Sequence, residues 1–320
     1  MKIAFLISAF TDMPHLERLI NSLPEEGDVY VHLDARCQGW KVEGGMRNDV
    51  HLISKRYKVM WGSFTQVRFQ TELIRAALNS GTAYDYLFML SGQDYPVWSN
   101  RRIVSYLESL NGRNLLQGMK LVGLPHSETY EYTRYRFLNN MPWRYGSVGS
   151  KLRVALRTVA QPFLKKPLSF TADGQHYDLY KGSDYFAITR ELAEYVLQTY
   201  DNGPQLRRYF TNSFAPSETF THTVAFNSRF ADKCMLTQGP VKGLEELTPL
   251  TYIEYGAKIK ELTMEDYDRI VASGKMFCRK TVTGISDELM DRIDEARSVE
   301  PMGAARAIKR SSSENRAKLA

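Results

Sequence analysis

Residues 2–9, KIAFLISA, followed by TDMPHLERLINSL at 11–23 and DVYVHLD at 28–34, decide the fold class of this 320-residue chain. A run that is apolar from Ile3 onward, without alternation, has the pattern of a strand buried on both faces. Asp12 and Pro14 then open a helical pattern in which Leu16, Leu19, Ile20 and Leu23 recur on one face. DVYVHLD reads as a second strand. Strand, helix, strand in so short a span is a βαβ unit, which sets the two strands parallel.

The alternation continues outward. Val50–Ser54 reads as a short strand, and Ser63-Phe64-Thr65 starts a helix running through Leu73, Ile74 and Leu78. Tyr84–Leu90 reads as a strand ending in SGQDYP, with a helix from Asn100 to Leu110. Strands alternating with helices predict an α/β fold with a mostly parallel central sheet flanked by helices. Ligands of such sheets gather at the strand C-terminal ends, where Asp34, Trp61 and Asp94 fall. No GxGxxG follows the first strand, so the dinucleotide fingerprint is absent. Residues 118–171 read as loop-rich and aromatic, with a basic stretch at 151–166. Lys181–Thr189 reads as a strand, Glu191–Thr199 as a helix and Asp287–Ala296 as a last helix. From 299 to 320 the composition predicts a disordered, mildly basic tail.

The net charge of +6 suits an anionic ligand, an acidic membrane surface or nucleic acid. Nucleic acid is the weakest of the three, because acids are interspersed among the bases and no RNA-module or zinc-finger signature is present. Cys37, Cys234 and Cys278 are odd in number and far apart, which argues against a disulfide framework and a cysteine zinc site. No apolar run approaches the ~20 residues of a membrane span. The expectation is a soluble cytoplasmic chain, with peripheral docking on a membrane surface as an option.

The stretch most suggestive of chemistry is APSETFTHTVAFNS at 215–228. Glu218 follows Pro216-Ser217 at an apparent helix start. Ser217 suits a helix cap, and a first-turn acid complements the helix dipole, so an ordinary helix start explains the pattern. A general base on a rigid element, anchored by Phe220 and Val224, is the sharper alternative, which the local sequence alone favours less.

Several separated segments resemble one family, the core-2/I-branching N-acetylglucosaminyltransferases and peptide O-xylosyltransferases with their bacterial relatives. They are KIAFLISAF with DVYVHLD, SKRYKVMWGSFTQV, LSGQDYPV, KGSDYFAITRELAEYVL, APSETFTHTVAFNS and MFCRK, in the family's order over residues 2–281. The resemblance implies a GT-A type fold in one catalytic domain, 1–298, with a nucleotide-binding half at 1–115 and an acceptor and catalytic half at 116–298. It implies inverting transfer of xylose or N-acetylglucosamine from a UDP-sugar to a hydroxyl of a glycan, glycolipid or peptide, with no metal or other cofactor. Glu218 takes the place of the base and Arg279 and Lys280 that of the diphosphate cations. Asp34 corresponds to the nucleoside contact, and Asp94, Asp184 and Trp61 to sugar or acceptor contacts. A buried core tryptophan is an equal alternative for Trp61. His32 and His222 read as core histidines, and Asp266 and Asp268 as helix-start acids rather than metal ligands. Thr281 departs from the phenylalanine frequent in the family, and 252–260 match poorly, leaving Lys258 or Lys260 as substitute phosphate cations. Without the stem and cysteine framework of animal members, a bacterial enzyme of surface polysaccharide synthesis is expected. The competing expectation is a catalytically silent carbohydrate- or nucleotide-binding protein on the same scaffold.

Overall fold

The computed structural model describes residues 1–37, 47, 49–136, 146–256 and 258–299. Strands β1 (Ile3–Ala9) and β2 (Gly27–Leu33) pair in parallel, Ile3 opposite Gly27 and Ala9 opposite Leu33, joined by helix α1 (Met13–Ser22). β3 (Val50–Leu52) adds beyond β2, and the chain returns through α2 (Thr65–Leu78) to β4 (Tyr86–Ser91) on the other side of β1. β1 is therefore buried on both faces. Ala4 and Leu6 enter one core, and Ile3, Phe5 and Ile7 enter the other. The sheet grows from β1 in one direction and then in the other, so a crevice opens beyond the C-terminal ends of β1 and β4.

The chain continues through β5 (Asp94–Pro96), α3 (Asn100–Ser109), β6 (Gln117–Lys120), α4 (His126–Thr129) and α5 (Val148–Ala160). Next come β7 (Ser169–Ala172), β8 (Gln175–Asp178), β9 (Tyr180–Gly182), β10 (Phe186–Thr189), α6 (Arg190–Asn202), α7 (Pro204–Thr211) and α8 (Phe220–Phe226). The last elements are β11 (Met235–Thr237), β12 (Thr251–Ile253), α9 (Tyr267–Ala272), β13 (Phe277–Arg279) and α10 (Asp287–Ser298). β10 joins β4 antiparallel and completes a central sheet of order β10-β4-β1-β2-β3, parallel except at that edge. Smaller sheets β11-β6-β9 and β12-β13-β5 and the β7-β8 hairpin flank it.

Two expectations are corrected. Lys181–Thr189 is not one strand. β9 runs so close to α8 that a Cβ on Gly182 would strike the His222 ring and the Gln117 carbonyl, which commits β9 to the β6 sheet while Phe186–Thr189 joins β4. Ser183–Tyr185 crosses between the two sheets. The loop-rich segment 118–171 contains the thirteen-residue α5, capped by Ser147, whose hydroxyl accepts from the Ser150 N–H at 3.2 Å. The basic tail lies, from residue 300, outside the described residues. No helix among the described residues is long and apolar enough to cross a membrane.

Candidate functional site

A cavity of about 430 Å³ opens at the C-terminal ends of β1, β2 and β4, with Asp184 and Tyr185 from the β9–β10 crossing and Arg279 from β13 closing its far side. Asp34, just after β2, is 2% exposed. Its Oδ1 accepts from the backbone N–H and Nε of Arg36, both at 2.8 Å. Its Oδ2 accepts from Arg36 Nη2 at 2.8 Å and the Val59 N–H at 2.9 Å. Burial opposes ionisation here, but these bonds outweigh it and hold the carboxyl below its ordinary 3.8. A carboxylate offers about four acceptor positions, and Asp34 spends all of them inside the protein. Behind it, Arg56 donates to the carbonyls of Leu33 and Asp34, both at 2.8 Å, fixing the strand end. Lys55 pairs with Glu72 at 2.7 Å.

Asp94 repeats the arrangement on the other side. It is fully buried on β5, where its Oδ1 accepts from Arg279 Nη1 at 3.1 Å and its Oδ2 from the Ser91 N–H at 2.8 Å. Burial pushes this carboxyl up, against the pull of Arg279. Arg279 faces the cavity over the Tyr185 ring at 5.1 Å, and its buried Nε has no hydrogen-bond partner among the described residues. Both aspartates thus orient an arginine rather than present free oxygens to the cavity. Arg36 was missed from the sequence, although HLDAR places it two residues after a strand-end acid.

Lys280 is not brought in with Arg279. It turns away and pairs with Glu261 at 3.0 Å. Lys260 is held by Asp266 at 2.6 Å, Lys258 is exposed, and neither lines the cavity. Asp266 forms a capping box with Thr263. Thr281 is fully buried, its hydroxyl 2.7 Å from His15 Nε2 and 3.2 Å from the Gln93 carbonyl, while His15 Nδ1 lies 2.9 Å from the Gly92 carbonyl. Asp12 accepts from the Thr283 N–H at 2.9 Å and its hydroxyl at 2.6 Å. The β1–α1 turn is thereby tied to the segment after β13. Trp61 is 82% exposed at the cavity rim, edge-on to Phe214 at 6.4 Å, which removes the core reading of that residue. His32 and His222 are core residues, and burial lowers both; His32 falls to about 4.

Glu218 is mounted differently from the expected helix start. Pro216–Glu218 is a separate 3-10 turn before α8, and Ser217 caps nothing. Ala215 precedes it at φ 38°, a left-handed conformation costly for a residue with a Cβ, so the turn is held by its surroundings. The Ser217 hydroxyl instead bonds Asp184, as does Gln70 Nε2 at 3.3 Å. Phe220 and Val224 are 1% exposed and anchor α8 in the core. Burial first, and then the Asp184 carboxylate, push Glu218 from an ordinary 4.5 up to about 8, with Lys181 pulling the other way. Burial also raises Asp184. Two half-buried carboxyls side by side with few donors favour retention of a proton, and such a group takes a proton from a substrate near neutral pH.

The family model "Core-2/I-Branching enzyme" matches residues 3–255. The chain belongs to this family. Its α/β sheet is that of a GT-A type fold, and Asp34, Trp61, Asp94, Asp184 and Glu218 lie inside the matched span. Human Xylosyltransferase 2 is similar, 28% identical over 222 residues, which is 67% of this chain and 23% of the relative. Xylosyltransferase sqv-6 of Caenorhabditis briggsae is 25% identical over 215 residues, 65% of this chain and 24% of that protein. The mouse beta-1,3-galactosyl-O-glycosyl-glycoprotein beta-1,6-N-acetylglucosaminyltransferase 4 is 24% identical over 232 residues, 69% of this chain and 46% of its own length. The aligned part of the chain therefore spans from about a quarter to under half of these relatives.

Proposed function

We propose that the chain is an inverting glycosyltransferase moving xylose or N-acetylglucosamine from a UDP-sugar to a hydroxyl of a glycan, glycolipid or peptide, in surface polysaccharide synthesis. The acceptor oxygen attacks the anomeric carbon from the face opposite UDP. Its proton passes to Glu218, the bond from the anomeric carbon to the phosphate oxygen breaks, and UDP leaves with the electron pair. Arg36 and Arg279 stabilise the charge gathering on the diphosphate. Each is already fixed by an aspartate and so needs little reorganisation during the reaction, and guanidinium forks suit paired phosphate oxygens. In this reading two oriented arginines take the role first assigned to Arg279 with Lys280, and no metal is required. The exposed Trp61 offers a face on which a sugar ring can lie.

The observation that carries the reading is the placement of Glu218. It is raised toward neutral pH beside Asp184, one of the residues that line a cavity whose walls also present Arg36 and Arg279. The test is calorimetry with UDP, together with transfer and donor-hydrolysis assays on UDP-xylose and UDP-N-acetylglucosamine in excess EDTA. UDP binding with EDTA-resistant turnover of one donor is expected. Absence of UDP binding overturns the proposal, turnover that needs added manganese overturns its metal-independent part, and binding without turnover of either donor favours the silent binding protein.

A further inference from the structure

Helix α5 is amphipathic the wrong way round. Ser150 and Arg157 are buried and Arg153 is half-buried, whereas Val148, Leu152, Leu156 and Val159 are 49–83% exposed. Their spacing makes one stripe, which Phe163, also 83% exposed, extends into the following turn. So many large apolar side chains on one outward face mark an interaction surface.

Charge indicates what meets it. Between Glu131 and Asp173 the sequence has eight cations and no acid, so with a net charge of +6 the rest of the chain carries −2. Lys151 and Lys165 of this segment are exposed beside the stripe. A symmetric contact between two copies would set these like charges against each other with no acid of the segment to compensate. An anionic bilayer matches both properties, taking the apolar stripe at its acyl boundary and the lysines among its headgroups. We propose that α5 and the turn after it lie flat on an anionic lipid surface. The inward side of the helix leads toward the cavity rim. Arg157 shares a cluster with Arg134, Arg136 and Arg153, and Arg136 lies 5.0 Å over the Phe214 ring, which meets Trp61. If the proposed transferase function holds, docking brings the reaction to the lipid surface where a membrane-bound acceptor would lie.

Flotation of the whole protein with vesicles of phosphatidylcholine, with and without phosphatidylglycerol, tests the proposal. Binding to the anionic vesicles, weakened by salt, is expected. Leu152→Ser with Val159→Ser and Phe163→Ser should reduce it by about tenfold or more, and Lys151→Gln with Lys165→Gln by about fivefold per cation on anionic vesicles only. All five side chains are exposed, so folding should persist, which a melting curve checks. Failure of the wild type to float, wild-type binding by the triple variant, or a wild-type dimer that the triple variant dissociates would each overturn the proposal. UDP affinity measured on the same variants should be unchanged, which separates this outcome from failure of the transferase assignment.

Discussion

Glu218→Gln keeps the shape of the side chain and removes its ability to take a proton. Loss of a general base costs about 10²-fold or more in transfer, while UDP affinity should stay within a few-fold. The structure adds a second effect. Because the folded state holds the Glu218 proton more tightly than the unfolded chain, with the pKa raised from 4.5 to about 8, stability is fully present below the unfolded value and declines as pH rises through this window. Each unit of displacement corresponds to about 1.4 kcal/mol, so the ceiling reached above pH 8 is about 5 kcal/mol, reduced to the extent that Asp184 shares the proton. Glutamine does not titrate. The variant should match the wild type near pH 4 and melt several degrees higher at pH 9, at about 2–4 °C per kcal/mol for a chain of this size or somewhat smaller. Wild-type transfer should fall on the acid side of the raised value. Scanning fluorimetry at pH 4, 7 and 9 with a donor-turnover assay reads both effects. Near-normal turnover by the variant, or a melting difference that does not change with pH, would refute the account of Glu218 as a base raised by burial.

Arg36→Ala and Arg279→Ala should each weaken UDP about tenfold or more, while uridine affinity changes little by calorimetry; equal losses for both ligands would move the diphosphate elsewhere. Arg279→Ala should also destabilise by about 3–5 kcal/mol in denaturant titration, because Asp94 loses its buried partner, and adding Asp94→Asn should recover part of the loss. Gly182→Ala should lower stability and turnover together, since its Cβ meets the His222 ring and the Gln117 carbonyl; a wild-type melting curve would count against the close approach. Lys166, 3% exposed, is lowered by burial from 10.5 to about 7, so stability falls as pH drops from 10 to 7. Lys166→Met should therefore gain more over the wild type at pH 6 than at pH 10 in a melting series.

The central sheet was legible because β1, β2 and β4 are buried on both faces and their apolar runs are continuous. Glu218 stood out in the sequence as a candidate base. Its mounting was not, since an alanine at φ 38° carries no mark in sequence and Pro-Ser-Glu suits an α-helical start equally well. The split of Lys181–Thr189 depends on a glycine whose neighbours, Gln117 and His222, are remote in the chain. The proposed exchange of Lys280 for Arg36 rests on which way two side chains turn, Arg36 held by Asp34 two residues before it and Lys280 by Glu261. The spacing of Val148, Leu152, Leu156, Val159 and Phe163 is visible in the sequence, but only exposure shows that the apolar side faces out.

The pairing of β13 with β5 sets Arg279 opposite Asp94, 185 residues earlier in the chain. On a ribosome, the strands that form the floor of the cavity emerge first and can pair among themselves. The arginine that neutralises Asp94 and the threonines that clamp the β1–α1 turn arrive only with residues 279–283. Until then a carboxylate destined for the interior stays hydrated and the cavity lacks its far wall. Nascent or truncated chains ending before Phe277 should consequently have a partly formed sheet and no competent pocket, so ligand binding is acquired only once β13 has emerged, as one step with its closure on β5.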